Sequence, residues 1–303
     1  MMAHEPVHVA GHLGLGDQIY MRPFIRRIQE KRQVFVETSF PQLWWDMPNI
    51  KCVKADGGLR TQAKNIRRVD FCDWHGEPRG INTMRISYAH DHTNKRCGII
   101  ASLSQQFQQP CDNFEWRVKP EWMTEAADFV KSLEGRNGRK IGIVRPPTYR
   151  EEWPCPSRNP DPRVIPHIAQ STKDEIMWVA IGDIDPRFER IDGDEGYWEA
   201  AALKGELHVG ALAALLLLAD IVLASPCFVL PMSCAVGARA FFVFGGYVHP
   251  RFVIDPRMGL EKIEWIEPSP FCNCVTNQHD CEKSYRPEKA LAKFNEFRRR
   301  FRD

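Results

Sequence analysis

The chain has 303 residues, of which 43% are hydrophobic and 26% are charged, and its formal net charge at pH 7 is +2. This composition excludes an intrinsically disordered chain and suffices for two domains with apolar cores. The longest apolar stretch, 207–224, is interrupted by His208, Gly210 and Asp220, which excludes a membrane-spanning helix there.

Charge and cysteine usage add two weaker expectations. Residues 1–140 carry 21 Lys and Arg against 16 Asp and Glu, which favours an anionic partner for this half, although ordinary scatter explains the excess equally well. The ten cysteines are mostly scattered, and the N-terminus lacks a basic segment followed by an apolar one. We therefore expect reduced thiols and a cytoplasmic protein.

The first predicted elements are a strand, a tight loop and a helix over residues 7–28. An apolar run leads into Gly11, Gly14 and Gly16, and Asp17 follows directly. The loop fits neither the dinucleotide-binding nor the P-loop fingerprint. Asp17 has two interpretations: it caps the helix, or it presents a carboxylate to a ligand at the positive end of the helix dipole.

The following elements predict a parallel α/β sheet. Short β-rich runs at 34–37 and 50–53 follow the first helix, while 55–120 shows no clear pattern and 121–133 has the spacing of a helix. The polar, glycine-punctuated stretch 135–140 is the best linker. We therefore predict an N-terminal domain at 1–137 and a C-terminal domain at 138–303.

The alternation of predicted strands and helices begins again after the linker. Strands are predicted at 141–144, 176–181, 221–224 and 241–244, and helices at 163–170, 209–219 and 232–236. A last helix carries Leu291, Phe294, Phe297 and Phe301 on one face, and it either stays with this domain or packs back on the N-terminal one. Open parallel sheets bind ligands at the carboxyl ends of their strands, so we expect a ligand between the two domains.

Several stretches in the correct order resemble one family. Gly14-Leu15-Gly16-Asp17, with Pro23 six positions after the acid, resembles the opening of the heptosyltransferase-like glycosyltransferases, glycosyltransferase family nine. Further stretches resemble later units of that family: 38–43, 203–205, 212–215, 219–222, 234–237 and 242–245.

The resemblance implies an α/β protein of the GT-B architecture, in which two Rossmann-like domains with parallel sheets face each other across a cleft. It implies an acceptor on the first domain, a nucleotide-sugar donor on the second, and sugar transfer with inversion and no required metal or other cofactor. The general base of the family is the aspartate that Asp17 matches. The donor loop departs from the family, because 225–231 lacks its Asp-Thr-Gly and the following His.

The remaining site predictions follow from the chemistry of this reaction. A leaving diphosphate needs cations or N–H donors, although any one arginine taken alone is better explained as a solvated surface charge. The loop that contains Gly182 and Asp183 matches the one that contacts the nucleoside in the family. The predicted donor and phosphate contacts are Gly14, Gly16, Arg145, Arg158, Gly182, Asp183, Ser225 and Cys227. The predicted acceptor contacts are His12, Arg60 and Lys64.

Three clusters suggest metal ligands. Cys272, Cys274, His279 and Cys281 have the ligand types of a structural zinc site, and a cysteine-rich loop without metal is the alternative. Asp183 and Asp185 could hold a divalent cation on a diphosphate, but such triplets are common in acidic loops. His90-x-His92 is better explained as a surface loop.

The acceptor and the activity stay open at this point. The acceptor is a glycan or a hydroxylated base in DNA; the DNA interpretation rests on basic side chains that could contact phosphates. These are Arg26, Arg27, Lys31, Arg32, Arg60, Lys64, Arg67 and Arg68. A protein that keeps the fold and binds without catalysis is the rival hypothesis, supported by the altered donor loop.

Overall fold

The computed structural model describes residues 5–55, 58–69, 72–88, 97–152, 154–193, 195–271 and 285–301. The first half contains β1 Val7–Gly11, α1 Leu15–Gln29, β2 Val34–Thr38, β3 Ile50–Lys54, α2 Arg60–Arg68, β4 Asn82–Ile86 and α3 Ile99–Phe107. Its four strands form a parallel sheet in the order β3-β2-β1-β4. The central strand β1 is buried on both faces except at Gly11, which explains why its residues other than His8 are apolar.

The second half is also built on a parallel sheet. After α4 Pro120–Lys131 come β5 Lys140–Arg145, β6 Thr148–Arg150, α5 Val164–Thr172, β7 Ile176–Ile181, β8 Glu189–Ile191, β9 Ala200–Ala202, α6 Val209–Leu218, β10 Ile221–Ala224, α7 Val229–Val236, β11 Ala240–Val243, α8 Pro250–Val253, β12 Ile263–Ile266 and α9 Pro287–Arg299. Six strands pair in the order β12-β11-β10-β5-β7-β9, and β6 and β8 form a separate antiparallel hairpin. The predicted architecture of two parallel sheets is confirmed.

One apolar cluster runs through both halves of the molecule. It joins Val9 and Phe24, beside the first sheet, to Val222 and Phe242 of the second. Helix α4 precedes the predicted linker, yet it packs on α6 of the second half, where Trp122 lies against Gly210. The two sheets are therefore parts of one continuous core.

The last helix covers the other face of the second sheet. Phe294 and Phe297 of α9 are fully buried against Trp178 and Phe241. Among the described residues, the main contacts of α9 are with α5 and β12, both in the second half.

Two further expectations concern thiols and membranes. Seven cysteines are free thiols in the described part of the chain: Cys52, Cys72, Cys97, Cys111, Cys155, Cys227 and Cys234. Among the described helices, none is both long enough and apolar enough to cross a membrane.

Candidate active site

The loop after β1 places Asp17 in the first turn of α1 but not at its cap. Gly11 has φ +142°, and a Cβ there would overlap the Ile86 carbonyl, so the loop needs glycine at this position. Helix α1 begins at Leu15, and Gly14 is its N-cap without a side-chain hydrogen bond. The alternative interpretation of Asp17 as the N-cap is therefore wrong.

The Asp17 carboxylate is held by a tyrosine that the sequence did not indicate. Tyr88, two residues after β4, donates its phenolic hydrogen to Asp17 Oδ1. The other oxygen, Oδ2, lies over Gly14, where any side chain would collide with it. Burial raises the pKa of Tyr88 well above its usual value, and the charge of Asp17 adds to this shift. Tyr88 therefore remains a proton donor to the carboxylate across the physiological pH range.

His12, a predicted acceptor contact, supports this arrangement. Its ring stacks on Tyr88 with the centroids 4.1 Å apart, and its Nε2 accepts the Tyr88 backbone N–H at 3.0 Å. Burial lowers the pKa of His12, and Asp17 opposes the shift only in part. His12 is thus a neutral hydrogen-bond acceptor that fixes the position of Tyr88.

The part of the second half that lies near Asp17 is the start of α7. Gly16 lies where α1 and α7 approach, and a Cβ there would stand 3.2 Å from Phe228 Cα. Arg158 donates to the Pro226 carbonyl at 3.3 Å, and its charge lowers the pKa of both Tyr88 and the Cys227 thiol, against larger opposing effects. The structure therefore brings the predicted donor residues Arg158 and Cys227 close to the Asp17–Tyr88 pair.

Arg145, in contrast, is occupied by the protein itself. It is 6% exposed, and its guanidinium donates to the Pro146 carbonyl, to Thr148 Oγ1 at 3.4 Å and to Glu189 Oε1 at 3.4 Å. Burial lowers its pKa. Arg150 reaches the same Glu189 oxygen at 2.9 Å. Arg145 thus shares the carboxylate of Glu189, whose side chain is only 1% exposed.

The loop at the start of α7 carries the other predicted donor contacts. Ser225 is buried at the end of β10, and the Val229 N–H donates to the Cys227 thiol. Burial raises the pKa of this thiol, whereas Arg145, Arg158 and Arg150 lower it. The thiol therefore stays protonated in a strongly cationic environment.

A row of cations on α2 joins the two halves. We call Arg60, Lys64 and Arg68, spaced four residues apart on one helix face, the α2 clamp. Lys64 Nζ lies 2.7 Å from Asp183 Oδ1 and 2.5 Å from the Lys204 carbonyl. Arg60 contacts Asp183 Oδ1 at 3.4 Å, the Asp183 carbonyl at 2.9 Å and Glu189 Oε2 at 3.3 Å.

The third member of the α2 clamp also binds a loop of the second half. Arg68 donates to the Gly205 carbonyl, while the Gly182 N–H donates to the Ala202 carbonyl at 2.9 Å and fixes the loop after β7. The predicted acceptor residues Arg60 and Lys64 therefore bind the predicted donor residue Asp183. Asp185 has its own cation, Arg187, which lowers its pKa to about 2.

Several of the basic side chains considered for DNA are engaged within the protein. Arg26 pairs with Asp46 at 3.2 Å, and Arg27 pairs with Asp112. Within the described ranges, no group of three or more His, Cys, Asp or Glu side chains is arranged to hold a metal ion. The cluster Cys272, Cys274, His279 and Cys281 and the pair His90 and His92 lie outside these ranges.

Sequence reasoning missed Tyr88, Arg150 and Glu189. Tyr88 lies 71 residues from Asp17 along the chain, in the stretch without a clear pattern. The one signal that could have found it is the strand β4, because a residue just past the carboxyl end of a neighbouring parallel strand reaches the same sheet edge.

The chain shares its fold with solved glycosyltransferases. The glycosyl transferase family 9 structure from Veillonella parvula DSM 2008 is 12% identical, with a TM-score of 0.64 and 99% of each chain covered. ADP-heptose lps heptosyltransferase II from E. coli is 13% identical, with a TM-score of 0.59, 98% of this chain and 99% of that chain covered.

A third structure covers this chain equally well. The iron-containing dodecameric glycosyltransferase TibC from enterotoxigenic E. coli H10407 is 13% identical, with a TM-score of 0.60, 98% of this chain and 77% of that chain covered. No family model matches the sequence, and no curated protein matches it. At these identities the likeness establishes the α/β fold with two parallel sheets.

Proposed function

We propose that the chain is an inverting, metal-independent glycosyltransferase that moves a sugar from a nucleotide-sugar donor to an acceptor hydroxyl. The observation that carries this proposal is the Asp17 carboxylate at the start of α1, held by Tyr88 and facing residues at the carboxyl edge of the second sheet. A carboxylate fixed in this way keeps lone pairs free to accept the acceptor proton.

The steps of the reaction can be assigned to residues. Asp17 takes the proton of the acceptor hydroxyl while that oxygen attacks the anomeric carbon. The bond from the anomeric carbon to the phosphate oxygen breaks on the opposite face, and its electron pair leaves with the nucleoside diphosphate. Arg158 and the N–H groups at the start of α7 would stabilise the charge of this leaving group.

Arg145 is not free to contact a phosphate, because its guanidinium is bonded to Glu189. It must give up part of its bonding to Glu189 before it can contact a phosphate. Asp183 must likewise release Lys64 before it can contact a nucleoside. Donor binding would therefore exchange internal ion pairs for pairs with the ligand.

A glycan is the acceptor that the charges favour. The basic side chains that a DNA acceptor would need are partly neutralised, since Arg26, Arg27 and Lys64 are paired with carboxylates. Strong salt dependence of DNA binding by the intact protein would reverse this preference.

The proposal is tested by incubating the protein with a panel of nucleotide sugars and following nucleotide release by mass spectrometry. All three similar structures carry glycosyl transferase or heptosyltransferase in their names, and one name includes ADP-heptose, which is therefore the first donor to test. Release above the protein-free rate with at least one donor is expected. Absence of release with every donor, with and without glycan acceptors, contradicts the proposal.

A non-catalytic binding protein is the second candidate. The observation in its favour is that two charged groups proposed to contact the donor are already paired within the protein. Asp183 is paired with Lys64, and Arg145 is paired with Glu189. Calorimetric titration with the same panel separates the two candidates. Heat of binding accompanied by turnover favours the enzyme, and the absence of both heat and turnover with every donor favours the binding protein.

A further inference from the structure

A cavity of about 400 Å³ lies at the amino ends of strands in the second sheet, away from the candidate active site. It is lined by Lys140, Glu175, Ile176, Asp220, Ile221, Arg239, Phe297, Arg298 and Phe301. Lys140 and Arg145 are the two ends of β5, so the cavity is about 17 Å from Arg145 at 3.3 Å per residue. Its volume is in the range of small-molecule sites.

The floor of this cavity is apolar and carries an aromatic platform. Ile176, Ile221 and Phe297 are 2%, 4% and 0% exposed. At the rim, the Arg239 guanidinium lies over the Phe301 ring, 5.0 Å from its centroid. A half-buried guanidinium stacked on a ring offers a flat surface and a positive charge in the same place.

Among the described residues around the cavity, two cations have neither a hydrogen-bond acceptor nor a counter-charge. Arg298 makes two hydrogen bonds of 2.9 Å to Glu175, and Asp220 accepts the Ile141 N–H at 2.8 Å. For the Lys140 ammonium and the Arg239 guanidinium, the described residues provide neither a hydrogen bond nor an ion pair. Arg298 Nε is also buried without a partner among the described residues.

We propose that this cavity is a second ligand site, for a small molecule that combines a flat ring with an anionic group. The ring packs against the partly exposed Phe301 at the rim, and the anion binds between Lys140 and Arg239. The requirement for both parts follows from the lining, because a free anion leaves the Phe301 ring in water and a neutral ring leaves both cations without a counter-charge.

The test is calorimetric titration of the full-length protein with three probes. Phenyl phosphate carries both the ring and the anion, inorganic phosphate only the anion, and benzyl alcohol only the ring. Phenyl phosphate is expected to bind at least about tenfold more tightly than either of the others.

Two substitutions place this binding in the cavity. Arg239→Ala is expected to weaken phenyl phosphate binding about tenfold. Arg251→Ala is the matched control, because Arg251 lies over Phe252 at the same 5.0 Å on another part of the surface, and it should leave the affinity unchanged. Lys140→Ala should weaken binding in the same direction as Arg239→Ala, and circular dichroism verifies that each variant is folded.

Three results overturn the proposal: phenyl phosphate does not bind, inorganic phosphate binds equally well, or Arg239→Ala and Arg251→Ala bind alike. None of these results bears on turnover at Asp17, so this inference stands or falls independently of the proposed function.

Discussion

At the scale of single residues, the candidate site depends on how one carboxylate is held. Asp17 is neither a helix cap nor a solvated surface acid, since Tyr88 donates to one oxygen and Gly14 makes room for the other. His12 in turn fixes Tyr88 by stacking and by accepting its backbone N–H. Two side chains, from the ends of two adjacent strands, thus orient one carboxylate.

Tyr88→Phe tests the role of the tyrosine. The variant keeps the ring that stacks on His12 and removes the hydrogen bond to Asp17, so the carboxylate gains rotational freedom. We expect kcat to fall about tenfold, with donor affinity unchanged and the free energy of unfolding lowered by about 1 kcal/mol. Steady-state kinetics, calorimetry and urea unfolding measure the three quantities. An unchanged kcat would show that Tyr88 has no positioning role.

His12 predicts a pH dependence of stability. The pKa of His12 is lowered by folding from its ordinary value of 6.5, so the unfolded chain binds a proton that the folded chain does not. The stabilisation is complete above pH 6.5 and decreases as the pH falls below it.

Urea unfolding at pH 7.5 and pH 5.5 measures this effect. His12→Asn keeps an acceptor for the Tyr88 N–H but cannot titrate, so its loss of stability between the two pH values should be smaller than that of the wild type. Equal losses for the wild type and His12→Asn would contradict the predicted shift.

At the scale of elements, α2 is the main electrostatic connection between the halves. Its one face carries Arg60, Lys64 and Arg68, and every one of them contacts a loop of the second half. These partners lie 119 to 137 residues away along the chain. The helix therefore forms in a polar stretch because of long-range partners, and not because of an apolar face.

A double-mutant cycle of Lys64→Ala and Asp183→Asn tests the clamp. Both side chains are about one quarter exposed, and their ions are 2.7 Å apart, so we expect a coupling energy of about 1 kcal/mol in the free energy of unfolding. Arg67→Ala with Asp183→Asn is the control cycle, because Arg67 is on the exposed side of the same helix, and it should show no coupling. Equal coupling in the two cycles would refute the clamp.

The contrast between apolar and polar stretches explains which elements could be predicted from the sequence. Strands β1, β5, β7 and β10 were predictable, because central parallel strands are continuous apolar runs bounded by glycine or polar residues. Helix α2 and strand β4 were not, because α2 is mostly polar and β4 is only partly buried. Tyr88 and Glu189 were missed for the related reason that their partners are distant in sequence.

At the candidate site, the sequence indicated some of the residues but not their partners. Asp17 could be found because its glycine loop is local. Arg158 and Cys227, which the sequence predicts as donor contacts, lie near it. Arg60 and Lys64 were recognised as important cations, but their partner in the structure is Asp183, which local sequence cannot reveal.

At the scale of the whole molecule, the halves share one apolar core and are joined on several sides. Other hydrogen bonds join the halves besides the α2 clamp. Tyr20 Oη donates to the Val253 carbonyl at 2.7 Å, and the backbone N–H of Trp116 donates to the Ala235 carbonyl at 2.7 Å. The apolar cluster contains strands of both sheets. The two sheets are therefore expected to lose their structure together.

Differential scanning calorimetry tests this cooperativity. We expect one transition, with the calorimetric enthalpy equal to the van't Hoff enthalpy, because neither half retains its core when the other unfolds. A donor that binds the junction should raise the transition temperature without splitting the transition. Two resolved transitions would show that the halves are independent folding units.

The most direct test of the account compares the wild type with Asp17→Asn under saturating donor. Asparagine is nearly isosteric and can still accept the Tyr88 hydroxyl, but it cannot take the acceptor proton. We predict a fall in sugar transfer of about 10²- to 10⁴-fold, measured as product by mass spectrometry, with the calorimetric donor affinity unchanged. Transfer by Asp17→Asn within about threefold of the wild type, at equal donor affinity, would contradict the assignment of Asp17 as the base.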